Sequence, residues 1–133
     1  MIKTGCINPP ILNALSHCMH GDKVLITTAN FRFNRSTKAD VVYLGLRPNQ
    51  PTTLEVLESL KDTINIEKIE LRALDPDTPT HHSIKAIFPD IPIVAHEQPT
   101  FHAAADADDV ALIIVTGGTE YAFDCRSIIF TFS

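Results

Sequence analysis

Long apolar runs are missing from this sequence. Nowhere in its 133 residues is there an apolar stretch of roughly 18, the length a helix needs to cross a bilayer. The opening Met1-Ile2-Lys3-Thr4-Gly5 has no apolar signal core either, so neither export nor membrane insertion is expected and the cytoplasm is the expected location. Cysteine is scarce: Cys6, Cys18 and Cys125 are scattered and odd in number, without the spacing of a zinc knuckle or a redox pair. A reducing compartment suits all three, and Cys18 and Cys125 read as packing residues. Positive charge is short as well, with 11 Lys and Arg against 16 Asp and Glu and a net charge of -5. Such a surface is poorly suited to tracking phosphates, so nucleic acid is not an expected partner. Repeats, low-complexity tracts and linkers are missing, and one domain over residues 1–133 is expected.

What is present is an ordinary globular balance, 44% apolar and 20% charged, in a chain large enough to bury a core without disulfides or metal. Asn8 before Pro9 and Pro10 reads as a helix opening, and Ile11, Leu12, Leu15, Cys18 and Met19 recur at helical spacing. A first helix is expected over residues 10–19, ended by Gly21 and followed by a buried strand over 23–29. Residues 31–40 keep two phenylalanines and three cations but lose periodicity, as a surface loop that can cover a pocket would. A second strand is expected over 41–46. Thr52 and Glu55 fit a capping box, ahead of a helix buried through Leu54, Val56, Leu57, Leu60 and Ile64.

Residues 66–74 alternate through Ile69, Leu71 and Ala73, which predicts a strand with one face more exposed. Short helices follow over 81–88 and 98–107, with a strand over 91–95 between them. The continuous apolar run 110–115 is the plainest strand of all, ending in Thr116-Gly117-Gly118, where glycine permits a tight turn or a close backbone approach. A last strand is expected over 127–132. Alternating strands and helices make this an α/β chain.

Groups capable of chemistry collect at the predicted strand ends: His20 and Asp22, Thr28 and Asn30, His96 and Glu97, and Tyr121. Imidazole is the side chain that exchanges protons near neutrality, and a nearby carboxylate can orient it. Ligands of open α/β sheets favour strand ends, so a small-molecule pocket is expected there. His96-Glu97 reads either as an acid-base pair or as a strand-to-helix corner. His81-His82 is a poor metal pair, because adjacent residues point apart and no carboxylate or cysteine accompanies them at ligand spacing. Asp106, Asp108 and Asp109 lack the glycine and distal glutamate of a calcium loop.

These pieces together resemble the D-ribose pyranase and L-fucose mutarotase (RbsD/FucU) family along nearly the whole chain. Met19-His20-Gly21-Asp22 is similar to the family's Gly-His-x-Asp turn, residues 35–40 to its loop before the second strand, and His96-Glu97-Gln98 to the pyranase branch. Residues 111–117 with Tyr121-Ala122 resemble the end shared by both branches. Two positions depart. Thr28 stands where the family carries an aspartate before an alanine, and Phe123 stands where its Tyr-x-Asn pattern has an amide; Asn30 and Asp124 are near enough in sequence to compensate.

The resemblance implies a three-layer α/β/α sandwich around a mainly parallel or mixed sheet. It further implies cofactor-free acid-base interconversion of the anomeric or ring forms of a free, ribose- or fucose-like monosaccharide. His20 would be the acid-base residue, and Tyr121 would hold a sugar hydroxyl or relay a proton. Asp22, Thr28, Asn30, His96 and Phe123 would line the sugar site, with no metal. Family members form rings with pockets between subunits, which implies self-association here; a non-catalytic sugar-binding ring is the alternative.

Overall fold

Asn8 starts the first helix by supplying what its free end lacks: Oδ1 accepts the Ile11 amide at 3.1 Å, and Pro9 and Pro10 occupy positions where no amide donor is needed. In this computed structural model, which describes residues 1–3, 5–72, 79–119 and 127–133, α1 runs Pro9–Ser16 and ends three residues before the expected limit. The helical ladder is lost before Met19: the His17 and Cys18 amides bond three residues back, to Ala14 O and Leu15 O, while Ser16 Oγ and His17 Nδ1 take the Asn13 carbonyl at 2.6 and 2.8 Å. Beyond it, Asp22 Oδ2 accepts the Met19 amide at 2.8 Å.

The remaining helices are α2 (Thr53–Lys61), α3 (Pro79–Ile87) and α4 (Gln98–Ala105). The capping box of α2 is present, Glu55 N donating to Thr52 Oγ1 and Thr52 N to Glu55 Oε1, both at 3.1 Å. Six strands, β1 (Lys23–Thr27), β2 (Asp40–Tyr43), β3 (Ile66–Arg72), β4 (Ile93–His96), β5 (Val110–Val115) and β6 (Ile128–Phe132), form one sheet in the order β2-β5-β1-β6-β3-β4. Strand β6 is antiparallel to both neighbours, β1 and β3, while the other pairings are parallel. The sheet is therefore mixed, and five strands bring their C-terminal ends to one edge. Strands β1 and β2 stop earlier than expected: Ala29 N bonds Gly118 O rather than continuing the ladder, and Leu44 N makes the last bond of its strand to Val115 O.

Successive residues of each strand face opposite sides. On one side Val24, Ile26, Ile69, Leu71, Leu112, Ile114, Ile128 and Phe130 meet Ile11 and Leu15 of α1, Val56, Leu57 and Leu60 of α2, and Ile84 of α3. On the other, Leu25, Ile113, Val115 and Ile129 meet Phe101 and Ala105 of α4. Three layers result. Burial of such a side chain stabilises by about 1.5–3 kcal/mol each, so these two clusters dominate the stability.

Residues 31–40 are not a free flap. Phe31 stacks on His102 at 4.9 Å with the rings 4° from parallel, meets Phe101 edge-on at 6.3 Å, and Asn34 N donates to Asp106 Oδ1 at 3.0 Å. The loop covers the α4 side of the core. A second departure lies in β3, where the alternation predicted an exposed face: Glu70 on that face is only 4% exposed.

Candidate functional site

The residues singled out in the sequence fall into three places. His20 and Asp22 belong to the turn entering β1, at the N-terminal edge of the sheet. Gly21 sits there at φ +90°, a left-handed conformation that costs a side-chain-bearing residue energy, and its amide donates to Phe132 O at 3.2 Å. Asp22 shapes the turn from both its atoms in play: its amide donates to Met19 O at 3.0 Å while its carboxylate holds the Met19 amide. The His20 side chain is left 75% exposed, with Nδ1 3.7 Å from Glu67 Oε2. A held turn thus presents an open imidazole beside a carboxylate.

Thr28 and Asn30 follow β1 at the opposite edge. Thr28 is buried and Asn30 exposed. At about 3.3 Å per residue the path from Asp22 to Thr28 covers roughly 20 Å, so one chain does not gather His20 and Asn30 around one small ligand. The C-terminal edge is tightly built. Thr27 Oγ1 and Ser127 Oγ share a hydrogen bond of 2.7 Å, Thr116 Oγ1 donates to Thr27 O at 2.9 Å, and Gly118 N donates to Thr116 Oγ1 at 3.1 Å. A Cβ on Gly117 would meet Gln50 O at 2.5 Å and Arg47 O at 2.6 Å, so the close backbone approach expected there is real. Beside it a cleft of 260 Å³ opens between Ala29, Leu46, Pro48 and Thr119. That is below the roughly 300–1,000 Å³ usual for a ligand pocket. Tyr121, Phe123, Asp124 and Cys125 lie outside the described residues.

His96 ends β4 and turns onto the α4 side of the sheet. The sequence offered Glu97 as its possible acid-base partner, and the structure corrects this: Glu97 is exposed at the N-cap of α4 and makes no side-chain cap bond. The partner is Glu70 of β3, whose Oε1 lies 2.9 Å from His96 Nε2. Lys23 Nζ stands 3.7 Å from Glu70 Oε2 and 3.3 Å from Asp109 Oδ2, and Lys68 Nζ stands 3.9 Å from Glu70 Oε1. Glu70 is the one acidic or basic side chain buried in full among the described residues. Sequence reasoning missed it because Glu70 and His96 are 26 residues apart and no local pattern links them.

Cys18 is partly buried just beyond α1. Burial, then the carboxylates of Asp22 and Asp40, push its thiol above the ordinary range, which suits a packing residue and not a nucleophile. His81 and His82 stand on α3 with ring centroids 6.4 Å apart and planes at 88°. Among the described residues no three His, Cys, Asp or Glu side chains converge as a metal-binding group. None of the described helices is long and apolar enough to cross a membrane.

A mixed sheet between helical layers, with an open imidazole at one edge and a small, mainly apolar cleft at the other, defines a small α/β sandwich. The chain belongs to the RbsD / FucU transport protein family, whose model matches residues 1–123. It is 33% identical over 125 residues to a D-ribose pyranase of Staphylococcus haemolyticus, covering 92% of each chain, and 27% identical over 124 residues to one of Kosmotoga olearia, again covering 92% of each. The fold is similar to Bacillus subtilis RbsD complexed with D-ribose, with a TM-score of 0.84 at 19% identity over 100% of this chain and 98% of the other. It is also similar to the fucose mutarotase from Streptococcus pneumoniae in complex with L-fucose, with a TM-score of 0.76 at 17% identity over 96% and 93% of the two chains.

Proposed function

We propose that this protein is a monosaccharide mutarotase or pyranase-like isomerase of the cytoplasm, acting on a ribose- or fucose-like sugar. The observation that carries the reading is the open His20 imidazole on a turn held by Asp22, in a chain similar over nine-tenths of its length to D-ribose pyranases. The reaction is redox-neutral and balanced without a cofactor. A base removes the proton of the anomeric hydroxyl, the bond from the anomeric carbon to the ring oxygen breaks as the carbonyl forms, and an acid protonates that ring oxygen. Reclosure on the other face gives the other anomer, and reclosure through another hydroxyl gives the other ring size. His20 serves as the acid-base group and Tyr121 holds a hydroxyl or relays a proton. Asp22, Thr28, Asn30, His96 and Phe123 line the sugar.

The separation of His20 from Asn30 by the length of β1 supports a pocket shared between copies of the chain, in which the N-terminal edge of one meets a neighbour's C-terminal edge. Such sharing closes into a ring if the contact repeats around an axis. Magnetisation-exchange NMR on ribose, fucose, galactose and glucose, with light scattering on the same sample, tests both parts. The expected result is accelerated anomer exchange for at least one sugar by an oligomer. A stable monomer at micromolar concentration overturns the shared pocket.

A second reading, a sugar-binding ring without turnover, is favoured by Thr28: it is uncharged where the family resemblance implied an aspartate, and only 2% exposed. Sugar that binds while its exchange stays at the buffer rate selects this reading.

A further inference from the structure

We infer that Glu70 is a positioning residue for His96, fixing the ring's tautomer and orientation so that Nδ1 is the nitrogen offered to a sugar hydroxyl. The inference rests on the reading of His96 as a sugar-site residue, and adds to it a partner that strand pairing alone supplies.

An ionised carboxylate can only accept hydrogen bonds. The 2.9 Å contact between His96 Nε2 and Glu70 Oε1 therefore requires the proton on Nε2. In the neutral ring, Nδ1 is then left with its lone pair and can accept a hydroxyl proton. A carboxylate that holds one ring nitrogen in this way fixes which of the two is the base, as in catalytic triads and metal-bound histidines.

The frame around the pair is stiff. Strands β3 and β4 run parallel with Glu70 opposite Val94 and Arg72 opposite His96, so both side chains project from the same face one register step apart. Glu70 is only 4% exposed and has no open solvent to turn toward. Lys23 and Lys68 attract its charge from 3.7 and 3.9 Å, ion-pair distances beyond hydrogen-bond reach, which leaves Oε2 with no hydrogen-bond partner among the described residues. His96 thus supplies the single hydrogen bond of this carboxylate among the described residues. Nearby, Arg72 Nε and Thr131 Oγ1 are also buried without a hydrogen-bond partner among the described residues. A buried charge with so few hydrogen bonds is weak in stabilising a fold, and an apolar residue of similar size commonly does as well or better. Holding the imidazole explains why a carboxylate stands there.

Nitrogen-15 NMR of the histidine rings in the full-length protein, at a pH where His96 is neutral, reads the tautomer directly. The wild type is expected to show a single Nε2–H form. Glu70→Gln keeps the shape but can donate as well as accept, so the preference should relax to a mixture of tautomers. With ribose and fucose as probes, exchange should then fall by about 10- to 100-fold, the cost typical of removing such an outer partner, while sugar affinity changes less than about threefold. A merely structural Glu70 would lower the thermal midpoint and leave tautomer and rate alone.

An Nδ1–H tautomer in the wild type overturns the inference without any variant, so failure of Glu70→Gln to fold does not shield it. A folded Glu70→Gln protein with unchanged tautomer, or with a changed tautomer and wild-type exchange and affinity, overturns it as well. Wild-type protein that neither binds nor turns over any sugar would bring down the proposed function instead, and is recognisable because the tautomer measurement needs no sugar.

Discussion

His20 Nδ1 and Glu67 Oε2 stand 3.7 Å apart across the N-terminal edge of the sheet, one on the turn before β1 and the other on β3, with side chains 75% and 49% exposed. A pair so open contributes little to stability, typically about 0–1 kcal/mol. Its position at the sheet rim is of interest for proton transfer and not for holding the fold.

His20→Gln keeps a hydrogen-bonding end of similar size and removes proton exchange near neutrality. Anomer exchange should fall by about two to four powers of ten, with sugar affinity and thermal midpoint close to wild type. Exchange, binding and melting on one preparation check this. A folded variant with wild-type exchange refutes the acid-base role of His20, and joint loss of affinity and stability assigns it to the turn.

Thr28→Asp restores the carboxylate that the family resemblance implies at this position. Exchange should rise by about tenfold, a part of the 10²–10⁴ that one positioned acid or base supplies. Because Thr28 is 2% exposed, the added charge should also lower the thermal midpoint. Unchanged exchange in a folded, sugar-binding variant would show that the missing carboxylate does not limit the rate.

Cys18 should label slowly. Its thiol is held above the ordinary range by burial and by Asp22 and Asp40, so the folded state binds that proton more tightly than the unfolded chain does. The sign follows: this group's contribution to stability is complete below the unfolded value, about 8.5, and is lost as pH rises from there through the folded value. Site-resolved mass spectrometry after iodoacetamide should find Cys18 reacting more slowly at pH 8 than a free thiol, with its rate still climbing at higher pH. Reaction at the free-thiol rate would contradict the burial.

Phe101→Ala should cost about 3–5 kcal/mol. The ring is 0% exposed in the cluster between α4 and the sheet, and Phe31 of the 31–40 loop rests edge-on against it. Denaturant unfolding measures the loss. A change below about 1 kcal/mol would mean that the α4 layer contributes little to the core.

Much of the architecture was legible one segment at a time. The capping box of Thr52 and Glu55, the Asn8 cap with its two prolines, and the apolar run of β5 depend on neighbours a few residues away, and each stands as expected. The end of α1 was misplaced because the apolar spacing runs on through Cys18 and Met19, whereas the backbone has already turned, with the His17 and Cys18 amides bonded three residues back. The exposed face predicted for β3 failed at Glu70 for a similar reason: alternation assigns a residue to a face, and only the packing around that face decides whether water reaches it.

By itself, then, the sequence determined the elements, their caps, the turn that presents His20, and the family motifs, since all of these are written in short-range spacing and local hydrogen bonding. Tertiary structure decided what meets what. The insertion of β6 between β1 and β3, antiparallel to both, sets the sheet order that carries Lys23 to Glu70, and the parallel register of β3 with β4 brings Glu70 to His96. It also put His20 and Asn30 at opposite edges, because strand direction fixes on which edge each turn emerges. Such contacts depend on pairings between distant segments, chosen by the burial of the whole sheet, and no short window of residues contains them.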